Sequence, residues 1–317
     1  MMQKLFISLP GNSDYKVYTS DSGGGFAFRF SSFEGHEEVN LKMNQTNDES
    51  FLSENLGGQH FNIPTHEEYV KLVENTVAHI RKNDLGKIVM SRPQRFDKII
   101  EPVLVFKKLV EAYPTACVYL FTHPEVGTWM GATPETLLSK KGDVLKTMSL
   151  AGTQKKGEED KFTGKEKIEQ ELVTDYITEI LNSEKGVEGV KAEGPIIAEA
   201  GNVVHLKTAI EATVQGSFNL SSLIKKLHPT PAVAGFPKKE ALEFIKKNEP
   251  YKRSFYAGYF GLNQRTDAHY FVNLRCMQVF HDSVVLYAGG GITRDSNPEA
   301  EWEETENKMQ TLLQVLK

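Results

Sequence analysis

The stretch YFVNLRCMQVFHDSVVLYAGGGI, residues 270–292, decides the reading of the fold. It is rich in β-branched and aromatic residues and is punctuated only by Asp and Gly. Strand therefore follows strand with no helix between, which points to antiparallel pairing. The same texture recurs in ACVYLFTH (116–123), GTWMGATPETLLSKKGDVLKTMSLAGT (127–153) and YAGYFGLN (256–263). Helical periodicity separates these blocks. THEEYVKLVENTVAHIRKN (65–83) has a Thr cap, an acidic first turn and apolar Tyr69, Leu72, Val73, Val77 and Ile80 at helical spacing. KIVMSRPQRF (87–96) reads as a strand and EPVLVFKKLVEAYP (101–114) as a helix closed by Pro114. Further helices are expected at about 165–182, 219–227, 238–247 and 298–316. The class is α+β rather than a doubly wound parallel sheet. Residues 1–64 show little beyond strand-like alternation in GGGFAFRF (23–30).

Bulk properties exclude several functions. With 317 residues, 39% hydrophobic and 25% charged, the chain can bury a large core. A formal charge of −5 with no Lys/Arg cluster argues against a nucleic-acid surface. The N-terminal MMQKLFISLPGNSDY has too short an apolar run for a signal peptide, and no stretch approaches the ~20 apolar residues of a membrane span. Cys117 and Cys276 read as reduced, buried thiols, in keeping with a cytoplasmic location.

Chemistry concentrates in two acidic helices. NPEAEWEETENKM (297–309) carries Glu299, Glu301, Glu303, Glu304 and Glu306 at a helix start. At about 100° per residue, Trp302, Met309, Leu312, Leu313 and Leu316 form the core face. Glu301, Glu304 and Lys308 border that face, and Glu299, Glu303 and Glu306 lie toward solvent. In GKEKIEQELVTDYITEILN (164–182), Leu172, Val173, Tyr176, Ile177 and Ile180 make the core stripe, and Glu166 and Glu169 project on the same side. A carboxylate on a buried face costs several kcal/mol unless a cation or donors compensate. Two Glu-x-x-Glu pairs could form an all-oxygen site suited to Mg²⁺ or Mn²⁺. They could equally be two solvated acidic helix starts favoured by the helix dipole.

Eight ordered segments resemble the motifs of chorismate-utilising enzymes, a group that includes isochorismate, salicylate, anthranilate and aminodeoxychorismate synthases. They are GKIVMSR, GATPETLL, SLAGT, KEKIEQELV, HLKTAIEATV, LHPTPAVAGFPKKEA, FVNLRCMQV and YAGGGITRDSNPEAEWEETENKM. The resemblance covers about residues 65–317 and leaves 1–64 as a shortened, divergent part of one chorismate-binding domain spanning 1–317. It implies an α+β fold of two antiparallel sheets packed face to face with flanking helices. It also implies a cleft in which Mg²⁺ holds the carboxylate of chorismate, with Glu169 and Glu304 as metal ligands and Glu166 and Glu301 assisting through water.

Within the group, Lys87 stands where water-using members resemble this chain, whereas anthranilate synthases carry Gln. The resemblance makes Lys87 the base that deprotonates water, though alone it would read as a strand-end surface lysine. Glu135 of GATPE resembles the general acid for the C4 hydroxyl; by itself it is a turn carboxylate after Pro134. Ala151 replaces the lysine nucleophile of aminodeoxychorismate synthases. Arg275, read as mid-strand among apolar residues, is an expensive place for a guanidinium without an anion, and the resemblance makes it a carboxylate clamp. Lys308 resembles a second clamp. Gly152, Thr153 and Gly289 would contribute to substrate binding, the glycines through backbone N–H groups. Gly290 replaces the usual Ala, which would loosen the turn there. His205 resembles a pocket histidine, but a satisfied core His reads almost as well. The HPTPA form of 228–232 resembles isochorismate and salicylate synthases. The reading is an Mg²⁺-dependent isochorismate synthase, a monomer without an obligatory glutaminase partner. Alternatives are a salicylate synthase, an amine-forming synthase or a non-catalytic metal-binding module. Menaquinone and siderophore pathways remain equally open.

Overall fold

The computed structural model describes residues 3–21, 23–51, 62–157, 162, 164–200, 203–216 and 218–317, without the side chains of 153, 155, 165 and 200. In chain order the elements begin with β1 (Lys4–Ser8), β2 (Lys16–Ser20), β3 (Phe26–Ser31), β4 (Glu38–Thr46), α1 (His66–Asn83), β5 (Lys87–Phe96) and α2 (Pro102–Ala112). Next come β6 (Cys117–His123), β7 (Gly127–Thr133), β8 (Thr136–Lys141), β9 (Val144–Lys155), α3 (Gly164–Ser183), β10 (Val187–Ala200) and β11 (Val203–Val214). The chain finishes with α4 (Leu220–Leu227), β12 (Gly235–Phe236), α5 (Lys238–Asn248), β13 (Tyr259–Gln264), β14 (Asp267–Val272), β15 (Cys276–Val279), β16 (Val284–Ile292) and α6 (Pro298–Leu316).

Among the described residues the strands follow one hydrogen-bonded order, β10-β11-β9-β8-β14-β13-β3-β4-β2-β1-β6-β7-β15-β16-β5-β12. Every neighbouring pair is antiparallel. The order folds back on itself, so the two expected layers are its two halves. Phe28 and Phe30 of β3 meet Phe121 of β6 at ring-centroid distances of 4.8 and 5.3 Å, although β4, β2 and β1 separate those strands in the order. Strands β1–β4, almost unreadable in sequence, are what join the layers.

Strand β6 shows why the sequence there lacks polar alternation. Cys117, Tyr119 and Phe121 face the interlayer core, and Val118 and Leu120 face a second core under α2 and α6. Both faces are covered, so both are apolar, which is normally the mark of a central parallel strand. α1 starts as expected on Thr65, whose hydroxyl accepts from Glu68 N–H while the Glu68 carboxylate accepts from Thr65 N–H. Residues 187–200 carry no readable period in sequence, yet they form the edge strand β10. Its register shifts between Glu188 and Lys191 and again between Glu193 and Ile196 erase the period-two signal.

The interlayer core converges on Phe30, fully buried, stacked on Phe255 at 4.5 Å and edge-on to Trp129 at 6.2 Å. Phe30→Ala should cost about 3–5 kcal/mol of stability, read as a lower midpoint in chemical denaturation. A loss below about 1 kcal/mol would show that the layers are not held there.

Candidate functional site

A cleft of about 710 Å³ of empty space opens between the layers, lined by residues of β5, β9, β11, β16, α3 and α6 and by the loops around 134, 232, 256 and 274. Its organising feature is Gly289–Gly290–Gly291. These do not form a turn; they lie in β16, opposite Ser91, Met90 and Val89 of β5. A Cβ on Gly290 would stand 2.8 Å from Glu301 Oε2 and 3.6 Å from Glu304 Oε1. On Gly291 it would meet Lys87 Cε at 2.4 Å and Glu169 Oε1 at 2.8 Å. The glycines thus form a notch that both acidic helices reach, and the Ala usual at 290 would crowd the Glu301 carboxylate.

Two of the inner carboxylates, Glu169 and Glu304, are each matched by a lysine. Lys87 Nζ, almost fully buried, donates to Glu169 Oε1 at 2.5 Å. Lys308 Nζ donates to Glu304 Oε1 at 2.6 Å and to Gly289 O at 2.8 Å. Low exposure at Lys87 and Glu169 makes this pairing obligatory, since an uncompensated charge there would be costly. Glu301 is deeper than its sequence position on the helix border suggested, at 3% exposure. Glu166 reaches the cleft wall with its stem, its Cβ 2.9 Å from where a Gly152 side chain would begin. Among the described residues, no group of three or more His, Cys, Asp or Glu side chains forms a ready metal cage. The donor chemistry fits a hard dication all the same: Glu301 and Glu304 offer carboxylate oxygens beside Gly290 and Glu169 beside Gly291, and none of these is a soft ligand.

The opposite wall fixes a histidine and an arginine. Gly152 has φ +68° and is the extra residue where His205 pairs with Thr153 and Leu206 with Ala151, a bulge that suits glycine. The bulge turns Gly152 O toward His205 Nδ1 at 3.0 Å, so Nδ1–H donates and Nε2 is left to accept from Arg275 Nη2 at 3.3 Å. Burial, reinforced by the Arg275 and Lys308 charges, pushes His205 down to about 3, and the ring is neutral. The Thr153 side chain lies outside the described residues. Arg275 is not mid-strand: it precedes β15 at a bend with φ +46°. Its Nη1 donates to Lys308 O at 3.0 Å and to Thr311 Oγ1 at 3.2 Å. No carboxylate lies within ion-pair distance of it among the described residues, and burial draws it down to about 10. Such a guanidinium has the donors and the charge to hold an anion.

Glu135 lies at the cleft between β7 and β8, 4% exposed. Burial raises its carboxyl to about 8 against the opposing Lys87 and Lys308 charges, so it carries a proton at neutral pH. The residues gathered at or against the cleft therefore include Lys87, Glu135, Gly152, Glu169, His205, Arg275, Gly289, Glu304 and Lys308.

Several participants had no sequence signal. Tyr256 and Tyr287, stacked at 5.4 Å, line the cleft, yet each reads in sequence as a strand aromatic. Gln170, rather than Leu172, joins Val173, Ile177 and Leu181 on the buried face of α3. Its amide donates to Ser149 O at 3.2 Å and Thr208 Oγ1 at 3.1 Å, pinning the Glu169 turn to β9 and β11. On α6, Trp302 and Leu313 are only half-buried, and Thr305 and Val315 join the core. Glu306, half-exposed on the solvent side as expected, also pairs with Arg92 of β5, itself fully buried with its guanidinium 3.6 Å over the Trp302 ring.

The profile of chorismate binding enzymes matches residues 31–317, taking in β4 as well as the stretch from residue 65. Isochorismate synthase MenF of Bacillus subtilis is 30% identical over 263 residues, 79% of this chain and 55% of that protein. Isochorismate synthase EntC of Escherichia coli is 29% identical over 266 residues, 80% of this chain and 68% of that protein. The chain thus spans little more than half the length of the first of these relatives. Among solved structures, the Bacillus anthracis protein DhbC, assigned as a 2,3-dihydroxybenzoate-specific isochorismate synthase, superposes with a TM-score of 0.83 at 25% identity, covering 98% of this chain and 95% of that one. No helix among the described residues is long and apolar enough to cross a membrane.

The Glu135 carboxyl, near 4.5 when unfolded and about 8 when folded, makes stability fall as pH rises through that window, because the folded state holds a proton that the unfolded chain has released. Glu135→Gln should remove that slope and become relatively more stable than the parent as pH rises from 5 to 8. Denaturation curves at several pH values, parallel for both proteins, would contradict the assignment.

Proposed function

The chain belongs to the chorismate-binding enzyme family, and from that premise we propose that it is an isochorismate synthase, interconverting chorismate and isochorismate. The observation that carries the reading is a protonated buried carboxyl, Glu135, in the same cleft as a buried amine, Lys87, with Arg275 lacking a carboxylate partner among the described residues. Acid and base are then both present for a reaction that adds water at one carbon and expels hydroxide from another.

In this reading Arg275 and Lys308 take the substrate carboxylates, and the planar fork of Arg275 is already aimed by Lys308 O and Thr311. Lys87 first releases to solvent the proton it shares with Glu169; its free amine then accepts a proton from water as the water oxygen bonds to C2, the ring double bonds shift, and the C4–O bond breaks. Glu135 gives its proton to the departing hydroxide, so one water enters and one leaves. A magnesium ion held by Glu169 and Glu304, with Glu166 and Glu301 assisting, would neutralise these carboxylates and bind a substrate carboxylate. The all-oxygen donors at the glycine notch support that choice of metal. Neutral His205 contributes shape and a fixed Arg275 rather than charge. Rate arises from orientation and from charges fixed in a site of low exposure.

Incubation with chorismate and Mg²⁺ followed by chromatography should yield isochorismate; salicylate with pyruvate, or anthranilate when ammonia is supplied, would replace the proposal. Lys87→Ala should lower kcat by about 10²–10⁴ while chorismate binding stays measurable by calorimetry. The forward rate should fall as pH rises through about 8, where Glu135 loses its proton. A rate that climbs steadily across that range would remove Glu135 from the acid role.

A further inference from the structure

Behind the cleft wall lies the most deeply buried ion pair among the described residues, Glu249 with Arg253, each side chain 2% exposed. Arg253 closes a fork on the carboxylate, Nε to Oε2 at 2.8 Å and Nη2 to Oε1 at 2.6 Å. Its other donors go to main-chain carbonyls, Nη1 to Val233 O at 2.8 Å and Nη2 to Val89 O at 2.7 Å. Glu249 Oε1 also accepts the Ser91 N–H at 2.7 Å and the Ser91 hydroxyl at 2.8 Å. Val89 and Val233 both line the cleft, one on β5 and the other on the loop that follows α4.

A buried ion pair is weak evidence for stability, because apolar side chains of similar volume often serve as well. What apolar side chains cannot supply is a set of bonds to two separate carbonyls and a strand N–H. β12 covers β5 only at Lys87 and Ile88, so beyond those residues the pair takes the place of a neighbouring strand. The loop it clamps is the backstop of Lys87. Phe236 pairs with Lys87 in the ladder, Val89 N–H donates to Ala234 O at 2.9 Å, and a Cβ on Gly235 would fall 2.3 Å from Lys87 O.

We infer that Glu249 and Arg253 are positioning residues for Lys87: their fork ties residues 228–237 to β5 and so sets where the Lys87 amine stands in the cleft. The inference rests on the proposed role of Lys87 as base. Arg275 and Lys308, which take the substrate carboxylates, make none of these bonds, so loosening the clamp should affect turnover more than binding.

Arg253→Lys keeps the charge but loses the planar fork. In the full chain its kcat with chorismate should fall by at least about tenfold, while the chorismate Kd from calorimetry changes less than about threefold. Amide hydrogen exchange at Val89 and Ser91 should quicken by about tenfold or more. If that variant does not fold, the double variant Glu249→Gln/Arg253→Met removes both charges together and should show the same pattern. Unchanged kcat in an active protein, unchanged exchange at both amides, or kcat and Kd worsening in parallel with thermal stability would overturn the inference. Should the parent chain fail to turn chorismate over, the functional reading falls, and the clamp is judged by exchange alone: faster exchange upholds it and unchanged exchange overturns it.

Discussion

The structure depends on three consecutive residues without side chains in β16. Gly290 and Gly291 leave room for Glu301 and Glu304 from α6 and for Lys87 and Glu169 from β5 and α3 to reach one stretch of strand. Charged groups seldom share so little space away from water, because each must be compensated within a few ångströms. Here the compensation alternates, lysine against glutamate, on both sides of the strand. A methyl group at either glycine would push carboxylate or amine aside, so the notch constrains the two helices as strongly as any hydrophobic contact.

The rest of the fold holds the elements that bring charge to that notch. α6 is seated by an apolar stripe from Met309 to Leu316 and, near its first turns, by the Arg92 guanidinium lying on Trp302 and reaching Glu306. α3 is seated by Val173, Ile177 and Leu181 and by the Gln170 amide. β5 is held on one edge by β16 and on the other by the short β12 and the Glu249–Arg253 pair. Buried polar contacts recur at every joint because apolar packing is tolerant of sliding, whereas a hydrogen-bonded pair has one geometry.

Legibility varied with the range of the interaction. α1 could be read to its cap because a capping box involves residues three apart. The helix borders at 164–183, 220–227 and 298–316 followed from periodicity within single segments. β10 was missed because its bulges break the alternation, and the joining role of β1–β4 because strand pairing across the layers leaves no local mark. Glu301, Glu304, Lys87 and Glu169 could be nominated from pattern, but Arg275 was misplaced. The helical wheel does not register that a buried Arg92 waits beside Glu306, and an apolar neighbourhood does not reveal a left-handed bend at Arg275.

The sequence by itself determined the alternation of antiparallel strands with helices, the motif order of a chorismate-binding enzyme and the residue types able to do acid, base and anion chemistry. Only the tertiary structure decided that Glu135 keeps its proton, that His205 stays neutral with Nδ1 as donor, and that Lys87 is backed by a loop some 140–150 residues further on. Periodicity and motifs are properties of neighbouring residues, which the order of the chain records directly. Protonation and orientation are set by whatever burial and charge surround a group, and those neighbours arrive from distant parts of the chain only when it folds.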